Sequence, residues 1–129
     1  MKISEFAVCT GLSKDTIRYY EKMDLLHPEI KNKQRQYNKK DIDIVETILK
    51  LKQSGFSLQE IKILFEWSGN TDKNKKLTKK EIQNLLEIKV LFQEKYEQML
   101  QKEHQIKQIK QVLLNTDNKI NQLLEKNKR

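Results

Sequence analysis

Leu85, Phe92, Met99, Ile106 and Leu113 recur every seven residues, and most of what separates them is Lys, Glu or Gln. Ile82, Ile88, Tyr96 and Ile109 form a second apolar line beside the first. A seven-residue period sustained this long fits a helix whose narrow apolar stripe is covered by another helix. From Thr78 to about Leu114 that helix would extend ~55 Å at ~1.5 Å per residue. One such helix cannot bury its own stripe, so the pattern predicts dimerisation through Leu85, Phe92, Tyr96, Met99, Ile106 and Leu113. "NTDN" at Asn115–Asn118 interrupts the repeat and is expected to cap a last short helix carrying Ile120, Leu123 and Leu124, ahead of a frayed tail.

A coiled segment of this kind explains an otherwise odd composition. Only 36% of the 129 residues are apolar, too few for a deep core throughout, and three Gly with one Pro leave little that would interrupt helices. The expected fold is therefore mainly all-α, in four stretches: a head over residues 1–67, a polar linker over 68–77, the coil over 78–114 and a short segment over 115–129. The linker "SGNTDKNKK" marks the change of character.

Within the head, Ile3 to Cys9 reads as a short helix with Ile3, Phe6 and Ala7 on one face, and Cys9 is expected to be a small buried residue. Gly11 supplies a left-handed turn, Ser13 caps a second helix and that helix runs to about Met23. Helix, glycine turn and helix in about twenty residues is a helix-turn-helix. Leu12, Ile17 and Tyr20 would face the first helix, while Lys14, Asp15, Arg18, Tyr19 and Lys22 point away. After Pro28 the stretch Ile30–Tyr37 has no helical period and reads as a small hairpin or loop. A helix over Asp41–Gln53 follows, with Ile44, Val45, Ile48, Leu49 and Leu51 apolar and Gly55 ending it. Ser57 and Glu60 form a capping box for another helix, to about Trp67.

A basic helix-turn-helix followed by a basic hairpin is the geometry of a winged DNA reader. Here the sequence resembles the MerR family of bacterial transcription regulators. The likeness rests on "TIRYYE" at Thr16–Glu21, "LLHP" at Leu25–Pro28, "RQY" at Arg35–Tyr37, Asp41 and "GFSLQEIK" at Gly55–Lys62. The resemblance implies a homodimer joined by an antiparallel coiled coil, bound to a pseudo-palindrome in double-stranded DNA. It implies control of RNA polymerase at a promoter by distorting that DNA. Thr16, Arg18 and Tyr19 match the recognition helix. Arg35 and Tyr37 match the wing, where the arginine would meet backbone or minor groove and the tyrosine hydroxyl a phosphate. Lys14, Lys22 and Lys33 are the cations expected beside them. This chain has Lys33 and Gln34 where the family's wing has Gly-Tyr, and Asp24 where it has a glycine.

Charge points the same way only locally. The total of 26 Lys+Arg against 18 Asp+Glu gives +8, and an acidic partner such as nucleic acid is expected. Yet residues 1–67 hold 12 basic and 10 acidic side chains, and residues 68–129 hold 14 and 8. Position matters more than the sum: Ile30–Lys40 contains Lys31, Lys33, Arg35, Lys39 and Lys40 and no acid.

Other classes find little support. No nucleophile–base pair and no phosphate-cradling glycine loop suggest an enzyme, and no cofactor is implied. His27 and His104 lack Cys or His companions, so no metal site is expected. Metal-sensing relatives of the family carry cysteines at both ends of the dimer helix, and this chain has none there. The single Cys9 and the lack of a signal-like or spanning segment fit a cytoplasmic protein with no membrane contact. About fifteen residues follow the coil, too few for a ligand-binding domain. The effector is not legible. Two other readings use the same residues: a repressor or phage accessory factor without an activation step, and a protein-interaction module built on the same head.

Overall fold

Phe6 is the one fully buried residue of the first helix, α1 (Ile3–Thr10), and the head is built around it. In this computed structural model the described residues are 1–69 and 73–128, in two units, Met1–Lys73 and Asn74–Arg129. The middle of the expected linker, Asn70–Asp72, and the terminal Arg129 lie outside the described residues.

α1 stops because Gly11 takes φ 75°, a left-handed backbone that glycine adopts without strain, and its amide donates to the Ala7 carbonyl. Ser13 then caps α2 (Lys14–Lys22), accepting from the Thr16 amide at 3.1 Å. α2 ends in a Schellman turn. Asp24 sits at φ 65°, its amide donates to Glu21 O and the Leu25 amide donates to Tyr20 O. Leu25 and Tyr20 are both buried, so the turn is fixed by a hydrophobic contact as well as by its hydrogen bonds.

The wing is a two-stranded antiparallel hairpin, β1 (Glu29–Lys31) and β2 (Gln34–Gln36), with Lys31 opposite Gln34. That register leaves a two-residue turn, and Asn32 (φ 51°) and Lys33 (φ 62°) are both left-handed. This is the turn that matches strand twist in a hairpin. The residue that replaces the family's glycine thus keeps the turn by adopting a conformation that costs a lysine roughly 1–2 kcal/mol.

α3 (Lys39–Gln53) begins two residues before the expected start, because Asn38 and Asp41 form a capping box in which Asn38 accepts from the Asp41 amide and Asp41 accepts from the Asn38 amide. Gly55, at φ 98°, ends it in a second Schellman turn. α4 (Leu58–Ser68) carries the expected Ser57–Glu60 box. The core of the head is Phe6, Ile17, Tyr20, Leu25, Leu26, Tyr37, Val45, Ile48 and Ile61.

Cys9 is exposed, contrary to expectation. The buried face of α1 is Phe6 with Ile3 and Ala7, and Cys9 falls off it, next to Val8, which is 84% exposed.

In the second unit one helix, α5 (Lys79–Lys126), runs unbroken for 48 residues, roughly 72 Å. The expected break at Asn115–Asn118 does not occur. Thr116 Oγ1 donates to Val112 O at 2.8 Å, Gln111 donates to Asn115 at 2.9 Å, and Asn121 donates to Asp117 at 3.5 Å, so these polar side chains bond back along the helix. The apolar stripe runs through Ile106, Ile109 and Leu113 and resumes one heptad later at Ile120 and Leu123, with Thr116 and Asp117 in the step between. α5 buries no residue, and Ile106, Leu113 and Leu123 are more than half exposed. Thr78 and Glu81 cap its start. Hydrogen bonds from the Thr78 backbone and hydroxyl hold the Glu81 carboxyl below the usual range.

Tyr37 stacks on Phe6, ring centroids 4.4 Å apart, and is 1% exposed. Its hydroxyl is buried without a hydrogen-bond partner among the described residues. Burial, then the charge of Glu21, raises its pKa above the ordinary 10.0. A raised acid keeps its proton in the fold, so this contribution to stability is complete below pH 10.0 and lost as pH rises above it. Tyr37→Phe is expected to leave stability at neutral pH unchanged or higher, by up to about 1–2 kcal/mol, and to blunt the alkaline loss. Urea unfolding at pH 7 and pH 11 measures both. A loss exceeding about 1 kcal/mol at pH 7 would mean that the hydroxyl is bonded.

Candidate nucleic-acid interface

α2 exposes its cations in a line. Lys14, Arg18 and Lys22 recur every four residues, which places them on one face, and all three are exposed. Tyr19 beside them is 51% exposed, while Tyr20 and Ile17 point the other way into the core. The two tyrosines thus divide the work: one offers an aromatic ring to the outside and the other holds the helix in place. Thr16 is half-buried, and its hydroxyl shares a hydrogen bond with Ser13 Oγ at 2.9 Å, so it contributes to the cap as well as to the outer face.

The wing presents Lys33 at its turn and Arg35 on β2, both exposed. Arg35 does not extend freely from the hairpin. Its Nε donates to both carboxylate oxygens of Glu21 on α2, each at 2.8 Å. That hydrogen bond, then the charge of Glu21, raises the guanidinium pKa further above its already high value, so Arg35 stays a cation at any pH the protein meets. Arg18 pairs with Asp15 at 3.3 Å, a looser contact whose carboxylate is 95% exposed. Between α1, α2 and the wing lies an open cleft of about 630 Å³, lined by Lys2, Ile3, Arg18, Glu21, Lys22, Gln34 and Arg35. Four cations and one carboxylate around a groove favour an anionic chain such as a phosphate backbone.

Tyr37 needs correction. The expected phosphate contact requires an exposed hydroxyl, and this ring is buried against Phe6. The Tyr37 amide donates to Met1 O at 2.7 Å, tying the root of the wing to the start of the chain. Tyr37 therefore braces the wing, and Lys33 and Arg35 are the exposed cations of the hairpin's turn and second strand. Lys2, Ile3, Glu21 and Gln34 also line the cleft, beyond the residues expected to contact DNA. Glu21 stands three residues after Arg18, on the same helical face, which is the signal that could have found it.

On α5, Leu85, Phe92 and Met99 are half-buried and Tyr96, Ile106 and Leu113 are exposed. All six lie on one unbroken helix. Among the described residues no group of His, Cys, Asp or Glu could hold a metal ion, and no helix is long and apolar enough to cross a membrane.

Comparison with known proteins adds an independent finding. Residues 1–66 match the family described as MerR HTH family regulatory protein. The HTH-type transcriptional regulator YfmP of Bacillus subtilis (strain 168) is 38% identical over 79 residues, 58% of this chain and 56% of that protein. The mercuric resistance operon regulatory protein of Bacillus cereus is 39% identical over 62 residues, 46% of this chain and 47% of that protein. The chain spans about half the length of these curated relatives. Among solved structures, HiNmlR, a MerR family regulator lacking the sensor domain and bound to promoter DNA, is similar with a TM-score of 0.53 and 24% identity, over 88% of this chain and 77% of that one. At that identity the likeness shows the fold.

If the α2 face reads bases, Arg18→Ala is expected to weaken specific duplex binding by about 1–3 kcal/mol while the thermal melt stays unchanged. A binding titration run beside the melt checks this. Full affinity with a normal melt would remove Arg18 from the reading surface.

Proposed function

The chain belongs to the MerR family, and on that premise we propose that it is a dimeric, cytoplasmic DNA-binding regulator of transcription. The observation that carries the reading is the joint presentation of Arg18 and Lys22 from α2, Lys2 and Arg35 of the wing around one cleft, with Lys14 exposed one turn further along the same face of α2. α2 enters the major groove, where Arg18 and Tyr19 meet base edges and sugar, and Thr16, Lys14 and Lys22 meet the flanking strands. The wing lies on the neighbouring backbone, with Lys33 and Arg35 on phosphates. Phosphate contacts set register and most of the affinity, and the few base contacts set sequence.

Two heads are needed for a pseudo-palindrome, and α5 supplies the means. Its stripe is nowhere buried in a single chain, with Tyr96, Ile106 and Leu113 exposed and Leu85, Phe92 and Met99 half-buried, and it would be covered by a second copy of itself. An antiparallel pairing places the heads at opposite ends of the coil across a two-fold axis, as successive half-sites on one DNA face require. The activity follows family resemblance: the dimer deforms the DNA between half-sites, at a cost met by its contacts, and brings promoter elements into register for RNA polymerase.

Selection from a random duplex pool should return an inverted repeat protected as two half-sites. Dimerisation is tested by replacing Met99 and Ile106 together with Asp. Each buried apolar side chain contributes roughly 1.5–3 kcal/mol, and each introduced carboxylate opposes burial. The double variant should sediment as monomer and lose tight binding to the selected repeat. A double variant that still sediments as a dimer would place the interface elsewhere. A monomer with full affinity would show that pairing is not what makes the chain bind.

A further inference from the structure

The contact that stands out is the one between Glu21 and Arg35. A carboxylate on the reading helix, beside a cleft meant for phosphate, repels the ligand the cleft is built to take. Yet Glu21 is placed with care: its side chain is 23% exposed, against 95% for Asp15, and both its oxygens face the Arg35 Nε at 2.8 Å. Its partner stands fourteen residues away, on the other element of the DNA-binding surface.

The wing needs such a tie. Each of its strands is three residues long, and five of the six strand residues are exposed, with only Gln36 half-buried. A two-stranded hairpin of this kind is marginal by itself. Its root is held by Tyr37, but its arm has no core of its own. The guanidinium carries five N–H donors in a rigid fork. Glu21 engages the Nε donor, and no hydrogen bond from either terminal nitrogen of Arg35 is found among the described residues.

We propose that Glu21 is a positioning residue for DNA contact: it holds Arg35 through Nε, orders the wing against α2 and leaves the terminal nitrogens of the fork to a backbone phosphate. This rests on the DNA-binding reading above. A long side chain held in place before binding loses less freedom on contact, and that gain outweighs the repulsion from one carboxylate whose charge Arg35 already balances.

The test compares wild type, Glu21→Ala, Glu21→Gln, Arg35→Ala and the Glu21→Ala/Arg35→Ala double variant. Each is titrated against the selected duplex at several salt concentrations, with a thermal melt of each. Glu21→Ala makes the head more positive, yet it should bind about five- to tenfold more weakly, the size of one ordinary net hydrogen bond. Its salt slope should fall by about one phosphate contact, as in Arg35→Ala. The double variant should bind no more weakly than Arg35→Ala, because both changes remove one unit. Glu21→Gln should stay within about threefold of wild type, since its amide oxygen still accepts from Nε. Tighter binding by Glu21→Ala with an undiminished salt slope would overturn the proposal and make Glu21 a simple repellent. Losses that add in the double variant, or a Glu21→Gln loss as large as that of Ala, would also overturn it. Failure of wild type to bind any duplex is a separate result, and it would overturn the DNA-binding reading itself.

Discussion

The stack of Phe6 on Tyr37 is the contact on which the head depends. One ring comes from a helix of eight residues and the other follows directly on a three-residue strand, and neither element could persist alone. Nearly parallel rings 4.4 Å apart, closed in by the rest of the core, hold α1 against the root of the wing. Such a pair contributes about 0.5–1.5 kcal/mol beyond its buried area. Ile17 and Tyr20 of α2 join the same core, so the orientation of the outer face of α2 is set from inside. On the proposed DNA-binding reading α2 has to be held before it meets DNA, and this small core holds it.

On the outside, charge works by position. The excess of basic residues is larger in the second half of the chain than in the head, so a net figure would misplace the interface. What distinguishes the head is arrangement: cations every fourth residue on α2, a lysine at the turn of the wing, and an arginine fixed by a carboxylate. Acidic residues near this surface are of two kinds. Asp15 is almost fully exposed and its pair with Arg18 contributes little to stability. Glu21 is mostly covered and links two elements.

Much of this was legible because it is local chemistry. Ser13, the Ser57–Glu60 box, Gly11 and Gly55 each act within a few residues of themselves, and each does what the sequence predicts. The seven-residue stripe is also a local signal, repeated. The misses are of another sort. "RQY" marks a wing, but nothing in those letters says that Tyr37 meets Phe6, far away in the chain. Glu21 and Arg35 likewise meet only in the folded head. Cys9 looked like a core residue because small apolar residues usually are, while α1 has room to bury only Phe6 completely. "NTDN" contains poor helix formers, and the strong formers on both sides carry the helix through them, with their side chains bonded back along it. Asn38 and Asp41 form the same reciprocal capping box as Ser57 and Glu60, with Asn and Asp in place of Ser and Glu.

The central claim is that α2 and the wing form one DNA-binding surface held from below by the core. Amide chemical-shift mapping of the chain against a duplex selected from a random pool tests it directly. The account predicts large perturbations at Lys14, Thr16, Arg18, Tyr19, Lys22 and Lys33–Arg35, with Val45, Ile48 and Ile61 nearly unmoved. Perturbations confined to α5, or spread evenly across the head without a maximum on α2 and the wing, would contradict it.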